Sequence, residues 1–258
     1  MRPVLDSVPS PVLAVVRREI GAFVDSPVAW VATGLFVLLL HGTFFFLGYP
    51  LGDLRLPAFW AGNLASLDTL YAWVPPLYCV LAPALTMGAW AEEARSGTDE
   101  LLFTQPLRTR DVVLGKFFAC WLSLGLVTTC AVVPVALVVA SLGPLDWGTV
   151  CGGLVGVWML AAVCVSVGLF ASALSSEQFV AFGVGALVLA VLWGAGLFVR
   201  SLPSGLAEAA WYASPTLHFQ ESGARGLFDA RDVVYYGLFA AAFLHLNALA
   251  AEGRRWRR

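Results

Sequence analysis

Charge-free windows dominate the hydropathy pattern of this sequence. Six windows contain no Asp, Glu, Lys or Arg, and each holds 19 to 30 residues. The apolar core of a bilayer is about 30 Å thick and needs about 20 helical residues to cross it, so each window can hold one spanning helix. Helices are required because backbone groups in lipid must form their hydrogen bonds within the segment. The windows are residues 26–52, 69–91, 117–145, 147–176, 178–199 and 233–251.

The pattern therefore predicts an all-α, polytopic integral membrane protein with six transmembrane helices in a single domain, residues 1–258. The composition agrees, because 59% of the residues are hydrophobic and only 12% are charged, too few to cover a soluble protein. Buried helices of a large soluble protein would explain one such window but not six in series. We place spans 1 to 6 at about residues 28–48, 70–91, 112–141, 149–174, 178–199 and 233–251.

The distribution of Lys and Arg predicts the orientation. With six spans, both termini lie on one side of the membrane. That side collects 11 of the 15 basic residues, which places it in the cytoplasm by the positive-inside rule. The 11 are Arg2, Arg17, Arg18, Arg95, Arg108, Arg110, Lys116, Arg254, Arg255, Arg257 and Arg258, against Arg55, Arg200, Arg225 and Arg231 on the other side.

A helix over residues 11–25 is predicted before span 1. Ser10 can cap it, and Pro11 suits its first position. An apolar stripe follows, while arginines lie off the stripe, so we expect an amphipathic helix in the cytoplasmic interface with its apolar face in lipid. The alternative is a segment that only anchors span 1. The stripe consists of Val12, Val16, Ile20 and Phe23.

A charged segment at residues 92–111 connects spans 2 and 3. Gly97 is predicted to break the chain after the charged extension of span 2, and Ser96 or Thr98 can cap a short amphipathic helix that Pro106 ends. Thr109 can cap the next helix, which runs through Lys116 into span 3. An ordered, charged, cytoplasmic helix suggests a docking surface for a soluble partner. A solvated connecting loop is the alternative.

This segment resembles the loop between spans 2 and 3 of ABC-2 type exporter permeases. The shared features are paired glutamates, an arginine, a Gly-Thr pair and a Leu-Leu pair before a proline, followed by Leu-Gly-Lys at the entry to span 3. Ala94 and Asp99 depart from the commonest residues of that pattern. The matching residues are Glu92, Glu93, Arg95, Gly97, Thr98, Glu100, Leu101, Leu102, Pro106, Leu114, Gly115 and Lys116.

Other segments resemble the gliding-motility-associated branch of that family and the related nitrous-oxide-reductase maturation permease. Examples are RREIGAFVDSPVAW before span 1, PALTMGAWAEE at the end of span 2 and GLFASALSSEQFVAF between spans 4 and 5. The resemblance implies a six-span permease of the bacterial cytoplasmic membrane that pairs with a second copy or a paralogue. It implies export, or conformational work on a periplasmic accessory protein, driven by a separate ABC-type ATPase.

The resemblance also implies where that ATPase docks. The docking elements would be the N-terminal helix and the loop after span 2, and ATP and Mg²⁺ would bind to the partner, with no cofactor on this chain and no nucleic acid. The chain is expected to have no enzymatic activity, because Gly115-Lys116 lacks the rest of a G-x-x-x-x-G-K-[ST] loop. The implied docking and coupling residues are Arg17, Arg18, Glu19, Glu92, Glu93, Arg95, Gly97, Thr98, Asp99, Glu100, Leu101, Leu102, Pro106 and Lys116.

Few polar residues lie within the predicted spans. His41, His245 and Asn247 either line a pathway or form hydrogen bonds between helices. Gly152 and Gly156 form a small-xxx-small pair, which indicates close helix packing rather than a ligand site.

The external segment, residues 200–232, contains aromatic residues at the membrane boundary, so it is either a re-entrant or interfacial element or a simple aromatic anchor. The five cysteines form no CxxC pair and predict neither a disulfide nor a metal site.

Two other functions are weighed against a permease. A membrane redox or haem protein needs ligand histidines paired across helices, and only His41 and His245 lie within the spans. An ATP-independent channel or secondary transporter usually carries ionisable residues within its spans, and the six windows hold none of Asp, Glu, Lys or Arg. The absence of ionisable residues from the windows favours an energy source outside the membrane, although a carrier of neutral solutes remains the alternative.

Overall fold

The six predicted spans form helices in the structure. The structure, a computed structural model, describes residues 11–51, 55–62, 64–97, 108–198, 203, 205, 208, 211–212, 214–222 and 230–256. Within these residues, six helices are long and apolar enough to cross a membrane, which confirms the all-α, six-span fold. Their bounds are Pro27–Gly42 with a π-helical turn Thr43–Leu47, Asp68–Thr86 with Gly88–Ser96, Thr109–Leu142, Trp147–Leu174, Gln178–Phe198 and Ala230–Trp256.

The N-terminal helix, Pro11–Asp25, packs against span 3. Val15 and Val16 are buried, and a Cβ atom at Gly115 of span 3 would lie 2.6 Å from the Val15 side chain. Of the predicted stripe, Val16 is buried and Val12, Ile20 and Phe23 are partly buried, so the protein covers part of the apolar side, and the location of this helix in the membrane interface stays a prediction. An amphipathic pattern does not by itself reveal whether lipid or another helix covers the apolar face.

Span 2 is broken at Met87, and span 4 stabilises the break. The Ser172 hydroxyl donates to the Met87 carbonyl oxygen at 2.8 Å. The Oγ atom of Ser172 also accepts from the backbone N–H of Trp90 at 3.0 Å and from that of Ala91 at 3.3 Å. One side chain thus satisfies backbone groups on both sides of the break, which would otherwise be unpaired in an apolar environment.

The charged segment after span 2 follows the predicted start and end signals in part. The second helix of span 2 ends at Ser96, and Gly97 adopts a left-handed conformation with φ 71°, which confirms the predicted break. Span 3 begins at Thr109 and continues through Lys116, but Arg108 holds the N-cap position, so the prediction that Thr109 caps this helix is wrong by one residue. The predicted positions Thr98, Asp99, Glu100, Leu101, Leu102 and Pro106 lie outside the described residues.

We call the end of the bundle that holds the N-terminal helix the N-terminal end. At the opposite end, spans 2 and 4 meet where the Tyr71 hydroxyl donates to the Val150 carbonyl oxygen at 2.8 Å. A Cβ atom at Gly153 would lie 2.4 Å from the Tyr71 ring, so the absence of a side chain at Gly153 allows this approach.

The described part of the external segment is anchored to spans 5 and 6. It contains a short helix, Pro215–Glu221, in which Phe219 is fully buried. The Ser214 hydroxyl donates to the Leu192 carbonyl oxygen at 3.1 Å, and the Tyr236 hydroxyl donates to the Pro215 carbonyl oxygen at 2.7 Å. The helix is therefore packed into the bundle as well as carrying aromatic residues.

Substitution of Gly153 by Ala tests the contact between spans 2 and 4. The added methyl group overlaps the Tyr71 ring, and overpacking of this kind lowers the free energy of unfolding by about 1–3 kcal/mol. The matched control is Gly183→Ala in span 5, where a Cβ atom meets nothing within 4 Å. Thermal unfolding of the detergent-purified protein should show a lower Tm for Gly153→Ala only. Equal Tm values for both variants would contradict the tight contact.

Candidate functional site

Lys116, in span 3, lies at the centre of a buried polar site at the N-terminal end. Its side chain is only 1% exposed. Three oxygen atoms surround its Nζ: Oε1 of Glu19 at 3.0 Å, Oε1 of Glu93 at 2.9 Å and the Ala89 carbonyl oxygen at 2.6 Å. An ammonium group has three N–H donors, so three acceptors match its full capacity.

Arg18 completes the site from the N-terminal helix. Its guanidinium group forms ion pairs with both Glu19 and Glu93 at 2.5 Å. We call Arg18, Glu19, Glu93 and Lys116 the charge cluster. Its two cations and two carboxylates balance, and they belong to three separate elements: the N-terminal helix, the end of span 2 and the start of span 3. The ring of Trp90 adds a cation–π contact, with its centroid 5.0 Å from Nζ of Lys116.

Local packing explains why these groups meet. Gly115 lets the N-terminal helix approach the backbone of span 3, and the next residue, Lys116, then reaches Glu19. Beyond the break at Met87, the last helix of span 2 brings the Ala89 carbonyl oxygen and Glu93 to the same ammonium group. At the start of span 3, Gly115 thus allows the close approach of the N-terminal helix, and Lys116 supplies the charge that holds it there.

The surroundings shift the pKa values of Glu19 and Arg18 toward their charged forms. Burial raises the pKa of Glu19, but the charge of Lys116 and hydrogen bonds from Arg18 and Lys116 lower it further, so the net pKa is below its ordinary value. For Arg18, burial lowers the pKa, but Glu19 and Glu93 raise it to a greater extent. The buried charges are therefore paired, as their removal from water requires.

The predicted docking residues divide into two groups. Glu19, Glu93 and Lys116 lie inside the charge cluster, with side chains no more than 15% exposed. Outside it, Glu92 and Arg95 form an ion pair at 3.1 Å on the exposed side of the helix Gly88–Ser96. Arg17 is also exposed, and Arg18 is half exposed at the edge of the cluster. Only the exposed residues are available to a partner.

The intramembrane histidines have different surroundings. The Nε2 atom of His41 donates to the Ala131 carbonyl oxygen at 3.0 Å, a hydrogen bond between spans 1 and 3. His245 is exposed on span 6. The His41 contact supports the alternative of helix-to-helix hydrogen bonding.

Asn247, Gly152 and Gly156 are all buried. Neither the Nδ2 nor the Oδ1 atom of Asn247 has a hydrogen-bond partner among the residues that the structure describes. The burial of Gly152 and Gly156 within span 4 is consistent with close helix packing. In the described part of the chain, no three His, Cys, Asp or Glu side chains group closely enough to hold a metal ion.

Sequence reasoning did not identify Trp90 and Ser172, which shape the site. Ser172 carries no pattern that reveals its role, because the backbone groups it satisfies are 81 to 85 residues away. Lys116 does carry a signal: it is a single cation between apolar neighbours, and such a residue requires an opposite charge if its helix is buried.

Removal of the central cation should destabilise the protein. Lys116→Met removes the buried one of the two cations that compensate Glu19 and Glu93, and breaking a buried pair in this way lowers the free energy of unfolding by about 3–5 kcal/mol. Arg95→Met, which breaks only the exposed pair with Glu92, should change it by less than about 1 kcal/mol. Thermal unfolding in detergent measures both. Adding Glu93→Gln to Lys116→Met should restore part of the loss, and equal stability of the two single variants would contradict the proposed role of Lys116.

The cluster also predicts acid sensitivity. Because the folded-state pKa of Glu19 is lowered below its ordinary value of 4.5, its contribution to stability is present above about pH 4.5 and is lost as the pH falls through the lowered pKa. Tm in a non-ionic detergent should therefore decrease below about pH 4.5. In Glu19→Gln this decrease should be smaller, although Tm is already lower at pH 7. An identical acid profile in both proteins would contradict the assignment.

Comparison with known proteins gives the family. No curated protein matches the sequence at a significant level. Residues 13–220 match the family described as ABC-2 family transporter protein, a range that includes all but the first two residues of the N-terminal helix, the charge cluster and spans 1 to 5. This match covers well over half of the 258 residues and agrees with the six-span architecture. The chain is therefore a multi-pass membrane protein that belongs to the ABC-2 transporter family.

Proposed function

We propose that this permease subunit receives mechanical force from a separate ABC ATPase through the N-terminal helix and the helix Gly88–Ser96. Members of the family generally pair with such an ATPase. ATP and Mg²⁺ would bind to that partner. The observation that supports this proposal is the buried side chain of Lys116, which belongs to span 3 and contacts both docking elements.

The helix Gly88–Ser96 suits this role because neighbouring residues on it face opposite ways. Glu92 lies on the exposed side, where it pairs with Arg95, whereas Glu93 is buried against Lys116. A partner that pushes on the exposed side therefore acts on the same short helix that holds span 3. The force passes through ion pairs in a low-dielectric site, where they resist separation more strongly than in water.

The break at Met87 lets this helix move separately from the rest of span 2. Backbone breaks that absorb dihedral changes are the usual hinges of moving elements. Ser172 holds the break in its present geometry through three hydrogen bonds to Met87, Trp90 and Ala91. A second arrangement of these contacts would provide the two states that coupling requires.

The proposal extends to the cellular arrangement. The basic residues favour both termini on the cytoplasmic side of a bacterial cytoplasmic membrane, and the docking elements lie on that side. The working unit is a pair of permeases, either two copies or this chain with a paralogue. The resemblance to the gliding-motility and nitrous-oxide-reductase maturation branch favours export or conformational work on a periplasmic accessory protein.

Charge reversal on the exposed pair tests the docking surface. Glu92→Arg combined with Arg95→Glu keeps the intramolecular ion pair but exchanges its two charges, so the fold is preserved while the pattern offered to a partner changes. We expect affinity purification of the tagged permease from its own host to recover at least about tenfold less ABC ATPase, identified by peptide mass spectrometry, since rim charges set partner choice.

The control is the removal of an exposed charge far from the docking elements. Asp146→Ser replaces an exposed cap at the start of span 4, at the opposite end, and should leave ATPase recovery unchanged. Glu93 is kept intact in all variants, because its substitution would disturb the charge cluster. Full ATPase recovery with the exchanged pair would contradict this docking surface, and the absence of any ABC ATPase with the wild-type protein would contradict the proposed function itself.

A further inference from the structure

The connection between spans 1 and 2, residues 48–67, folds back in its described part along the end of span 1. Gly48 turns the chain with φ 71°, and its N–H donates to the Thr43 carbonyl oxygen at 2.9 Å. Tyr49 then pairs with Leu56 through two backbone hydrogen bonds of 2.8 and 3.0 Å. A Cβ atom at Gly48 would lie 2.6 Å from the Leu56 carbonyl oxygen, so this turn requires glycine. We call residues 48–67 the folded-back connection.

Aromatic contacts set the level of this connection along span 1. It contains a short helix, Phe59–Gly62. The centroid of the Phe59 ring lies 5.3 Å from that of Phe44 and 5.7 Å from that of Phe45. The Trp60 ring stacks on Phe45 at a centroid distance of 6.0 Å. The short helix therefore lies beside the last turn of span 1 and not beyond its end.

The length of span 1 places this last turn at a membrane boundary. Pro27–Leu47 has 21 residues, which extend over about 30 Å as a helix. The apolar core of a bilayer is about 30 Å thick, so Leu47 lies where acyl chains meet headgroups at the opposite end. Because Trp60 stacks on Phe45, it lies at that level or slightly deeper. Tryptophan is enriched at this boundary in membrane proteins.

The exposed side chains of this region are apolar and continue the exposed side of span 1. Leu35 and Leu38 are exposed along the middle of span 1, and Phe46, which is 80% exposed, extends the same side to its end. On the folded-back connection, Trp60 is 61% exposed and Leu64 is also exposed. The connection thus adds aromatic and aliphatic surface to a helix side that already meets lipid.

Span 2 satisfies the irregular backbone of the connection. The Thr69 hydroxyl donates to the Pro57 carbonyl oxygen at 3.0 Å, and the Nε1 atom of Trp73 donates to the Gly48 carbonyl oxygen at 2.8 Å. At membrane depth, non-helical backbone is tolerated only where the protein itself supplies such partners. These two donors therefore suit a connection that is surrounded by lipid and not by water.

From these observations we propose that the folded-back connection is a lipid-binding surface. Phe46, Trp60 and Leu64 insert into the leaflet at the opposite end, at the boundary between acyl chains and headgroups. The partner is the bilayer itself, because the exposed side chains are apolar and continuous with the lipid-facing side of span 1. The connection fixes this end of span 1 in the leaflet, and the proposal does not rest on ATPase docking.

Site-specific photo-cross-linking of the full-length protein in its host membrane tests this surface. In separate variants, the photoreactive amino acid p-benzoylphenylalanine replaces Trp60, Leu38 or Arg95, and mass spectrometry identifies the adducts after irradiation. We expect phospholipid adducts from position 60, as from position 38 in the middle of span 1. Position 95, whose side chain is 58% exposed on the helix after the break in span 2, should give none. Adducts with protein in place of lipid at position 60, or no adduct there while position 38 gives one, would overturn the proposal.

Two glycine substitutions test whether the folded-back geometry is responsible. Gly48→Ala places a methyl group against Leu56 at a positive φ, so phospholipid adducts from position 60 should be lost, while those from position 38 persist and show that the protein is inserted. Gly34→Ala adds the same methyl group in span 1, where a Cβ atom meets nothing within 4 Å, and should retain both. Unchanged lipid adducts from position 60 in Gly48→Ala would show that the contact does not depend on this fold and would overturn the proposal.

Discussion

The buried ammonium group of Lys116 is the constraint on which the N-terminal end depends. A charge that is 1% exposed must be compensated by groups of fixed geometry, because desolvation of an unpaired ion is far more unfavourable than any single packing contact is favourable. Here the compensation comes from the N-terminal helix and from the last helix of span 2. The requirement of one cation therefore fixes the relative positions of three elements.

Backbone geometry elsewhere in the bundle makes this arrangement possible. Gly115 brings the N-terminal helix close enough for Glu19 to reach Lys116, and Ser172 satisfies backbone groups at the break that precedes the helix carrying Glu93. Neither residue is charged, yet the ion pairs depend on both. The geometry of the charge cluster therefore depends on the packing of uncharged residues, since an ion pair in a low-dielectric site is favourable only with good geometry.

Much of the fold was predictable because the information is local. Six charge-free windows specify six spans, and Gly97 marks the end of a helix through its own conformational freedom. What covers the apolar face of the amphipathic N-terminal helix was not predictable in the same way. The stripe that includes Val16 suits lipid and protein equally, and the structure buries Val16 on a helix that packs against span 3. Likewise, no local rule distinguishes Glu92, which is exposed, from Glu93, which is buried.

The sequence by itself determined the class of protein, the number of spans and the segment that carries the charges, because these follow from the order and spacing of residues along the chain. Only the tertiary structure decided which charges meet, since Glu19 and Lys116 are 97 positions apart. The tertiary structure also decided that Gly115 and Lys116 are buried, where they hold neighbouring helices against span 3, and are not part of the exposed surface. Pairing across such a separation depends on helix packing, and packing depends on shape in three dimensions.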